Sequence, residues 1–447
     1  MWNERKTQEF RKKAEALGSV PGLTNIRNLM EELGNVQDGL SIIHVAGTNG
    51  KGSVCAMLES ILRRAGYRTG RYSSPAVFCY EERYQVNGIN ISKEELSSVM
   101  EEVAAACGRM TGRGVAHPTL FEIETAAAFL WFFWKNCRVV ILETGMGGAL
   151  DATNIIRKPL CSVITSVSMD HMAFLGGTPE KIAAEKAGII KEGCPVVTVK
   201  QQPGVHEVLR QVCEKKHTDM LEADTGKISN VHYEGEYLVF DWGKMQRIEL
   251  SLLGAYQPEN AVCVIETIQR LKGLKTGYVR QEAPIHREFE ISESDIRFGL
   301  KTVSWPGRFQ IINRTPLVVL DGAHNEDAAK KLRKTLEMGF TNRKIIYIIG
   351  VLADKEYEKI LQCMLPLADR VYTVTPDNPR ALPGELLCEE AKKYHGHVQF
   401  ASGIGTALSL ALKDAERMEQ EAETMILAFG SLSYLGELMQ EMMKYDR

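Results

Sequence analysis

Short apolar runs of strand length recur along this sequence and alternate with longer segments of helical periodicity. The runs are rich in Val and Ile and end at Gly, Pro or polar residues, as buried strands do. Strands and helices that alternate in this way predict parallel sheets covered by helices on both faces. The predicted strands are 41–47, 139–144, 161–167, 195–199, 316–322, 344–350, 370–376 and 424–430, and the clearest helices are 53–66, 93–110, 119–136 and 326–336.

One stretch breaks this rhythm and another marks a boundary between domains. Residues 224–252 alternate polar and apolar positions over short distances, which predicts antiparallel hairpins in a small sheet appended to the first domain. A chain of 447 residues is too long for one hydrophobic core. The charged, Pro-containing segment 275–294 and the Trp-Pro-Gly at 305–307 place the hinge near residue 300. We therefore predict a domain at 1–300 and a second at 301–447.

Charge and cysteine usage narrow the classes of partner. The chain has 54 basic and 57 acidic residues, so its net charge of -3 gives no electrostatic reason to bind nucleic acid or an anionic membrane. The ten cysteines are scattered without a CxxC pair, which is typical of reduced thiols in the cytoplasm. The most apolar stretch, 125–134, is shorter than the ~20 residues of a membrane span and predicts a buried helix. We expect a cytoplasmic protein that acts on small molecules.

The strongest local signal is a glycine-rich turn between a predicted strand and a helix. It reads HVAGTNGKGS from His44 to Ser53. Glycines let backbone N–H groups face phosphates, the helix amino terminus adds partial positive charge, and Lys51 and the Ser53 hydroxyl complete a phosphate-binding loop. The strict pattern fails, since Val45 stands at the first glycine position and Gly52 separates the lysine from the serine. A glycine turn with a surface lysine is the alternative.

The predicted fold class is α/β, with a P-loop-containing doubly wound parallel sheet domain and a smaller Rossmann-like domain.

Two further strand ends carry candidate metal ligands. The strand at 139–144 carries Glu143 near its carboxyl end, where parallel sheets bind their ligands. The carboxylate of Glu143 is a hard oxygen donor suited to magnesium. A carboxylate that caps the following glycine turn would be the structural alternative. The strand at 161–167 is followed by His171 at the same edge. A lone histidine is more often structural than metal-binding.

Taken together, these segments resemble the folylpolyglutamate synthase and dihydrofolate synthase family, a branch of the Mur ligase superfamily. The resemblance extends over nearly the whole chain, and the loop with Gly between Lys and Ser is the form that this family uses. Its blocks are HVAGTNGKGS at 44–53, SSP at 73–75, HPTLFEIETAAAF at 117–129, ETGMGGALDATN at 143–154, DHMAFLG at 170–176, EKAGIIK at 185–191, YQPENA at 256–261, WPGRFQ at 305–310 and DGAHN at 321–325.

The resemblance implies a cofactor set and roles for residues in these blocks. ATP phosphates would lie on the first-domain loop, magnesium would be held by Ser74, Glu143 and His171, and a carbamylated Lys186 could bridge metals at a second site. The second domain would contribute Arg308, Asp321 and His324. The implied ATP-binding residues are Thr48, Asn49, Gly50, Lys51, Gly52, Ser53, Asn260, Arg308 and Asp321, and the implied catalytic residues are Lys51, Glu143, His171, Lys186, Arg308 and His324.

The implied reaction is ATP-dependent ligation of L-glutamate to a folate, through an acyl phosphate, by a monomeric enzyme. Phe121 and Glu122 would lie at the pterin end of the acceptor. The sequence leaves open whether the acceptor is dihydropteroate, a reduced folate or both. Two positions depart from the family pattern near the acceptor, with Ala76 in place of a histidine and Ala149 in place of an arginine.

Two other functions stay open at this point. One is another Mur-type amino-acid ligase, which would build peptidoglycan or a cyanophycin-like polymer. The other is a P-loop module that binds nucleotide and does not ligate. The SSP, HPTLFE and DGAHN blocks favour the folate ligase over the first, and DGAHN has no evident task in the second.

Overall fold

The computed structural model describes residues 2–18, 22–169, 176–274, 288–418 and 423–445. Its contacts divide the chain into two compact units. The first unit comprises Met1–Ala76, Tyr80–Lys227 and Glu259–Val303, and the second comprises Val77–Cys79, Ile228–Pro258 and Ser304–Arg447.

An eight-stranded sheet forms the centre of the first unit, in the order β4-β3-β2-β5-β1-β6-β7-β8. The six strands from β2 to β8 in this order are parallel, while β3 and β4 are antiparallel additions at one edge. Every residue of β1 and β5 is buried, as expected for central strands covered on both faces. The strands are β1 Ile42–Ala46, β2 Thr69–Tyr72, β3 Tyr84–Val86, β4 Ile89–Asn90, β5 Val139–Glu143, β6 Cys161–Ile164, β7 Val196–Thr198 and β8 Met220–Glu222.

Helices of the first unit pack their apolar residues on this sheet. The predicted buried helix is α5, which begins at a capping box formed by Thr119 and Glu122 and is buried along most of its length. Gly50 in the left-handed conformation precedes α3. The helices are α1 Glu4–Glu15, α2 Thr24–Glu32, α3 Lys51–Arg64, α4 Lys93–Gly112, α5 Leu120–Trp134, α6 Pro179–Ala187, α7 Pro203–Lys215, α8 Gln257–Leu271 and α9 Glu293–Thr302.

The small antiparallel sheet that the alternating pattern predicts is present, but it groups with the second unit. Its three strands are β9 Ile228–Glu234, β10 Tyr237–Trp242 and β11 Met245–Leu250. Leu238 lies in the hydrophobic core of the second unit, and Tyr233 stacks edge-on against Phe340 with ring centroids 5.5 Å apart. The assignment of this sheet to the first domain was therefore wrong, because the partner of its apolar face is not visible in a local pattern.

A six-stranded sheet in the order β12-β13-β17-β14-β15-β16 forms the rest of the second unit. All neighbours are parallel except β12 and β13. Alternate residues of β14 face two separate cores, with Tyr347 in one and Ile346 in the other. The strands are β12 Gln310–Arg314, β13 Leu317–Leu320, β14 Lys344–Ile349, β15 Arg370–Thr373, β16 Val398–Phe400 and β17 Thr424–Phe429, and the helices are α10 Glu326–Gly339, α11 Tyr357–Met364, α12 Gly384–Ala391, α13 Ile404–Met418 and α14 Leu435–Tyr445.

These two helix-covered parallel sheets confirm the predicted α/β fold class. The pattern missed β2, whose four residues include Gly70 and the charged Arg71. This strand lies beside β5 and brings Ser74, a predicted metal ligand, to the same sheet edge as Glu143. No helix in the described parts of the chain is both long enough and apolar enough to cross a membrane.

Candidate active site

The turn from β1 into α3 is closed by two glycines that no other residue could replace without movement. Gly47 has φ +154°, and a Cβ there would lie 1.8 Å from Thr165 Oγ1. Gly50 has φ +91°, and a Cβ there would lie 2.8 Å from Asn260 Oδ1. The backbone of this turn therefore approaches β6 on one side and α8 on the other. Asn260, predicted from the resemblance to contact nucleotide, lies directly against the loop.

Residues that follow β6 hold the same loop from the side. Thr48 N–H donates to the carbonyl of Ser166 at 2.7 Å, and Asn49 N–H donates to the same oxygen at 3.3 Å. Thr48 Oγ1 donates to Ser168 O and accepts from Ser168 N–H, both at 3.1 Å. These paired bonds fix the backbone of the loop independently of any bound nucleotide.

Two lysines converge on the carbonyl oxygen of Gly47. Lys186, from the last turn of α6, donates from Nζ at 2.8 Å, and Lys51 donates from Nζ at 3.1 Å and also reaches Thr48 O at 3.3 Å. Lys186 is 4% exposed, while Lys51 is partly exposed. The structure thus brings together two residues that the sequence places 135 positions apart in separate blocks, and it concentrates positive charge where phosphates are expected.

Glu143 lies on the strand beside the loop. It is the last residue of β5 and pairs in register with Val45 of β1, while Thr144 N–H donates to Val45 O at 2.9 Å. On the other side of β5, Tyr72 pairs with Leu142, so Ser74 emerges from the next strand at the same edge. Because the carboxyl ends of parallel strands share one edge, Ser74, Glu143 and the Lys51 loop come from three adjacent strands.

A buried arginine that the sequence reasoning missed completes the local charge balance. Arg71 of β2 is 4% exposed and donates to Gln85. Burial lowers the pKa of Arg71, and the carboxylates of Glu59 and Glu143 oppose that shift. The signal was hidden because Arg71 lies in the strand that the pattern did not predict.

The donor set at this edge fits a hard divalent cation. Glu143 and Ser74 offer oxygen, the ligand type that magnesium prefers. Among the described residues, no three His, Cys, Asp or Glu side chains cluster as a metal site. His171, the predicted third ligand, lies outside the described residues.

The glycine turn after Glu143 is packed on both sides by predicted site residues. A Cβ on Gly145 would lie 2.5 Å from the ring of Phe121, and a Cβ on Gly148 would lie 2.8 Å from the carbonyl oxygen of Lys186. Phe121 is partly buried and lies 6.2 Å from Tyr72, measured between ring centroids. The predicted acceptor-binding phenylalanine therefore touches the turn that follows the predicted metal ligand.

Glu122 has a structural task that the sequence reasoning did not assign. Its Oε2 accepts from Thr119 N–H at 2.8 Å and from the Thr119 hydroxyl at 2.9 Å, and its Oε1 accepts from Ile26 N–H at 3.2 Å. The side chain is 4% exposed. Both oxygens thus serve the capping box of α5 and the start of α2, and this accounts for a glutamate at that position without a folate contact.

In the second unit, Arg308, Asp321 and His324 gather at the carboxyl end of β13. Asp321 is 3% exposed and accepts from Phe309 N–H and Ala323 N–H, each at 2.8 Å. Burial raises the pKa of Asp321, and Arg308 and these bonds oppose the rise. Nδ1 of His324 donates to Gly322 O at 2.8 Å.

The position of Arg308 depends on a glycine. A Cβ on Gly322 would lie 2.0 Å from Arg308 Nη1, so only glycine lets the guanidinium cross the DGAHN turn. Arg308 Nη1 also donates to Gly307 O at 3.1 Å. The Trp-Pro-Gly-Arg and DGAHN blocks, read as separate motifs in sequence, therefore form one substructure of the second unit.

Comparison with known proteins agrees with this architecture. The family model of the Mur ligase middle domain matches residues 45–268, and that of the Mur ligase glutamate ligase domain matches residues 307–432. The chain is similar to the dihydrofolate synthase/folylpolyglutamate synthase of Bacillus subtilis, with 38% identity over 81% of this chain and 83% of the relative. It is also similar to the dihydrofolate synthetase of Saccharomyces cerevisiae, with 30% identity over 94% and 97% of the two chains.

Solved structures give the same result. The Mycobacterium tuberculosis folylpolyglutamate synthase complexed with ADP superposes with a TM-score of 0.89 at 28% identity and 98% coverage of both chains. E. coli FolC in complex with DHPP and ADP superposes with a TM-score of 0.83 at 29% identity, over 99% of this chain and 98% of that one. The fold, the loop and the two matched domains define a Mur-type ligase architecture. Within it, this chain belongs to the folylpolyglutamate synthase and dihydrofolate synthase family.

Proposed function

We propose that this protein is an ATP-dependent ligase that joins L-glutamate to a folate-type acceptor, and that it acts as a monomer in the cytoplasm. One observation carries the proposal. Lys51 and Lys186 converge on Gly47 of the loop, and Glu143 ends the strand beside it. A phosphate-binding loop next to a carboxylate is suited to phosphoryl transfer from ATP. Relatives with this fold are named for glutamate ligation to folate or for dihydrofolate synthesis.

The reaction needs two steps because amide formation from a carboxylate is uphill in water. The acceptor carboxylate attacks the γ-phosphorus of ATP, the bond to the β-phosphate oxygen breaks, and ADP leaves with that electron pair. The amine of L-glutamate then attacks the acyl phosphate, loses a proton and displaces inorganic phosphate. The first step brings two anions together, so the cation of Lys51 lowers its barrier by offsetting charge repulsion.

Magnesium fits the oxygen donors at this edge of the sheet and would be held by Ser74, Glu143 and His171, with Lys186 as a further ligand when carbamylated. When bound, the ion supplies charge neutralisation on the transferring phosphoryl group. The chain's own residues position this group: Thr48, Asn49, Gly50, Gly52 and Ser53 surround the phosphates, and the bonds to Ser166 and Ser168 keep the loop in place. Asn260 limits the space beside Gly50.

The second unit contributes Arg308, Asp321 and His324 to nucleotide binding and catalysis. Asp321 holds the turn by its two backbone bonds, and Gly322 leaves room for the guanidinium of Arg308. A guanidinium has fixed donors that match phosphate oxygens. His324, ordered by its bond to Gly322, is available to orient the nucleotide or to accept a proton from the incoming amine.

The acceptor's ring system packs against Phe121, whose own ring contacts the backbone of Gly145. This contact links acceptor binding to the turn that follows Glu143. Glu122 acts from behind as the cap of α5. At position 149 this chain has alanine, where the family commonly has arginine. Ala149 lies close against Gly188, since a Cβ added to Gly188 would be 2.4 Å from the Cβ of Ala149.

The decisive assay couples ADP release to a detector and offers tetrahydrofolate and dihydropteroate separately, each with and without L-glutamate. A folate ligase forms the glutamylated product and releases ADP continuously only when both acceptor and glutamate are present. A nucleotide-linked peptide acceptor, which a peptidoglycan ligase would use, serves as the control. ADP release that ignores the acceptor, or product formed only on the peptide acceptor, would refute the proposal. The two folate arms decide which acceptors this chain uses.

A further inference from the structure

A buried chain of hydrogen bonds connects β1 to the glycine turn after Glu143. Nε2 of His44 lies 2.8 Å from Thr153 Oγ1, and Thr153 Oγ1 donates to Asp151 Oδ1 at 2.6 Å. Asp151 Oδ1 also accepts from Thr153 N–H at 3.0 Å, and Asp151 Oδ2 accepts from Met146 N–H at 2.9 Å. Every side chain in it is buried, with His44 and Thr153 at 0% exposure and Asp151 at 7%.

The direction of each bond follows from the donors available. Both oxygens of Asp151 face backbone N–H groups, so the carboxylate accepts on each side. The Thr153 hydroxyl therefore donates its single proton to Asp151. In its other bond, the same hydroxyl oxygen must accept a hydrogen bond from His44. Nε2 of His44 then carries a proton, as it does in the Nε2–H tautomer of a neutral ring. Burial and the nearby Lys191 lower the pKa of His44 to about 3, which agrees with a neutral ring.

This series of hydrogen bonds ends at a turn that packs on two predicted site residues and directly follows a third. Met146, held by Asp151, is in the segment between Gly145 and Gly148. Gly145 packs on the ring of Phe121, and Gly148 packs on the backbone of Lys186. Glu143 is three residues before Met146 in the same strand-to-turn segment. A shift of the turn would therefore move the acceptor-side phenylalanine and the residues around the carboxylate together.

We infer that His44 and Thr153 are positioning residues for the ligation reaction, which hold Asp151 so that it fixes the turn at 145–148 beside Glu143 and Phe121. The inference rests on the proposed function for the meaning of that turn. The loop at Thr48 and Asn49 has separate supports, since Ser166 and Ser168 hold it from the other side. Loss of the hydrogen bonds from His44 through Thr153 to Asp151 should lower the rate of the acceptor reaction. The affinity for ADP should not change.

A matched pair of substitutions at one position tests this. Thr153→Val keeps the shape of the side chain and removes the hydroxyl, while Thr153→Ser keeps the hydroxyl. We expect Thr153→Val to lower kcat/KM for the folate acceptor by about 10- to 100-fold, the usual effect of removing a group that orients a metal-site residue. Thr153→Ser should recover most of that loss. The Kd for ADP should be the same in both variants and in the native protein.

Two outcomes would overturn the inference. One is equal acceptor kinetics in Thr153→Val, Thr153→Ser and the native enzyme. The other is a parallel loss of ADP affinity and acceptor turnover in Thr153→Val, which would indicate general damage to the domain. If Thr153→Val does not fold, His44→Phe and His44→Gln provide the same comparison, because glutamine retains an N–H donor. Ligation by the native protein is measured first, so that failure of the proposed function is recognised separately.

Discussion

The ammonium of Lys186 donates a 2.8 Å hydrogen bond to the carbonyl oxygen of Gly47, and Lys186 is almost fully buried. A buried amine needs strong partners because removal from water penalises its charged form. This bond joins the end of α6 to the phosphate-binding loop. It makes Lys186 part of the candidate active site.

Substitution of Lys186 by methionine should abolish ligation while the protein stays folded. Methionine has similar length and suits a buried position, and Gly47 O still accepts from Lys51 at 3.1 Å. Lys186→Arg should not restore activity, because a guanidinium cannot form a carbamate. The modification itself is tested by carbon NMR after equilibration with ¹³C-bicarbonate, which should give a carbamate signal in the native protein and none in Lys186→Met. Full activity of Lys186→Met would contradict the assignment.

Loss of the Lys51 charge should remove catalysis more than it removes stability. Lys51→Met is expected to lower kcat by about 10²- to 10³-fold, the usual effect of deleting one group that stabilises transition-state charge. Among the described residues, its Nζ donates to the loop carbonyls of Gly47 and Thr48, so the melting temperature should change little. The measurement is ADP release with saturating acceptor and glutamate. The matched control is Lys227→Met, since Lys227 is an exposed lysine paired with Asp224.

Gly47→Ala should disable the loop by steric conflict. The new Cβ would lie 1.8 Å from Thr165 Oγ1, and the φ of +154° is unfavourable for alanine. We expect a loss of about 1–3 kcal/mol in unfolding free energy, typical of overpacking, together with loss of ADP binding measured by calorimetry. Gly108→Ala is the control because nothing lies within 4 Å of its Cβ position in α4. Native ADP affinity in Gly47→Ala would show that the loop tolerates movement.

Arg308→Ala should raise the KM for ATP and lower kcat without unfolding the second unit. The guanidinium bonds the Gly307 carbonyl in the structure, whereas the turn itself is held by Asp321. Gly322→Ala should produce a similar defect, because its Cβ would displace Nη1 of Arg308. Arg314→Ala, at an exposed arginine paired with Glu236, is the control. Unchanged ATP kinetics in Arg308→Ala would exclude a role in nucleotide binding.

Stability should fall in acid partly because of His44. Its pKa is lowered from 6.5 to about 3 in the folded protein, mainly by burial, so the unfolded chain binds this proton first as pH falls. Between pH 6.5 and about 3 this group alone weakens folding by up to ~1.4 kcal/mol per pH unit. Chemical denaturation of His44→Gln against pH should show a correspondingly smaller slope. If unfolding free energy fell equally with pH in the two proteins, the folded protein would protonate His44 as readily as the unfolded chain does, which would contradict the lowered pKa.

The sequence predicted the elements that carry long apolar runs and failed where a strand was short or a partner distant. β1, β5 and β14 are rich in Val and Ile, and the structure places them within a residue or two of prediction. β2 was missed because Thr69–Tyr72 contains glycine and arginine. Apolar alternation located the small sheet at 228–250, but its packing partner is determined by tertiary contacts of residues such as Tyr233.

Within the candidate site, motifs located the loop, Glu143 and Arg308, but not what holds them. Ser166 and Ser168 contact the loop through backbone and hydroxyl groups, and Thr165 contacts it by close approach to Gly47, none of which has a signature in the local sequence. Glu122 could have been recognised as a cap, since Thr119 stands three residues before it at the start of a helix. The contact of Lys186 with Gly47 needs the fold, because it links residues far apart in the chain.

The fate of the acceptor's carboxylate oxygen tests the account most directly. The enzyme is given ATP, L-glutamate and a folate acceptor whose reacting carboxylate carries ¹⁸O, and the inorganic phosphate produced is examined by mass spectrometry. Attack of that carboxylate on the γ-phosphorus, followed by displacement by the glutamate amine, predicts that each phosphate carries one acceptor-derived oxygen. Phosphate that contains no label while glutamylated product accumulates would contradict an acyl phosphate formed at the Lys51 loop.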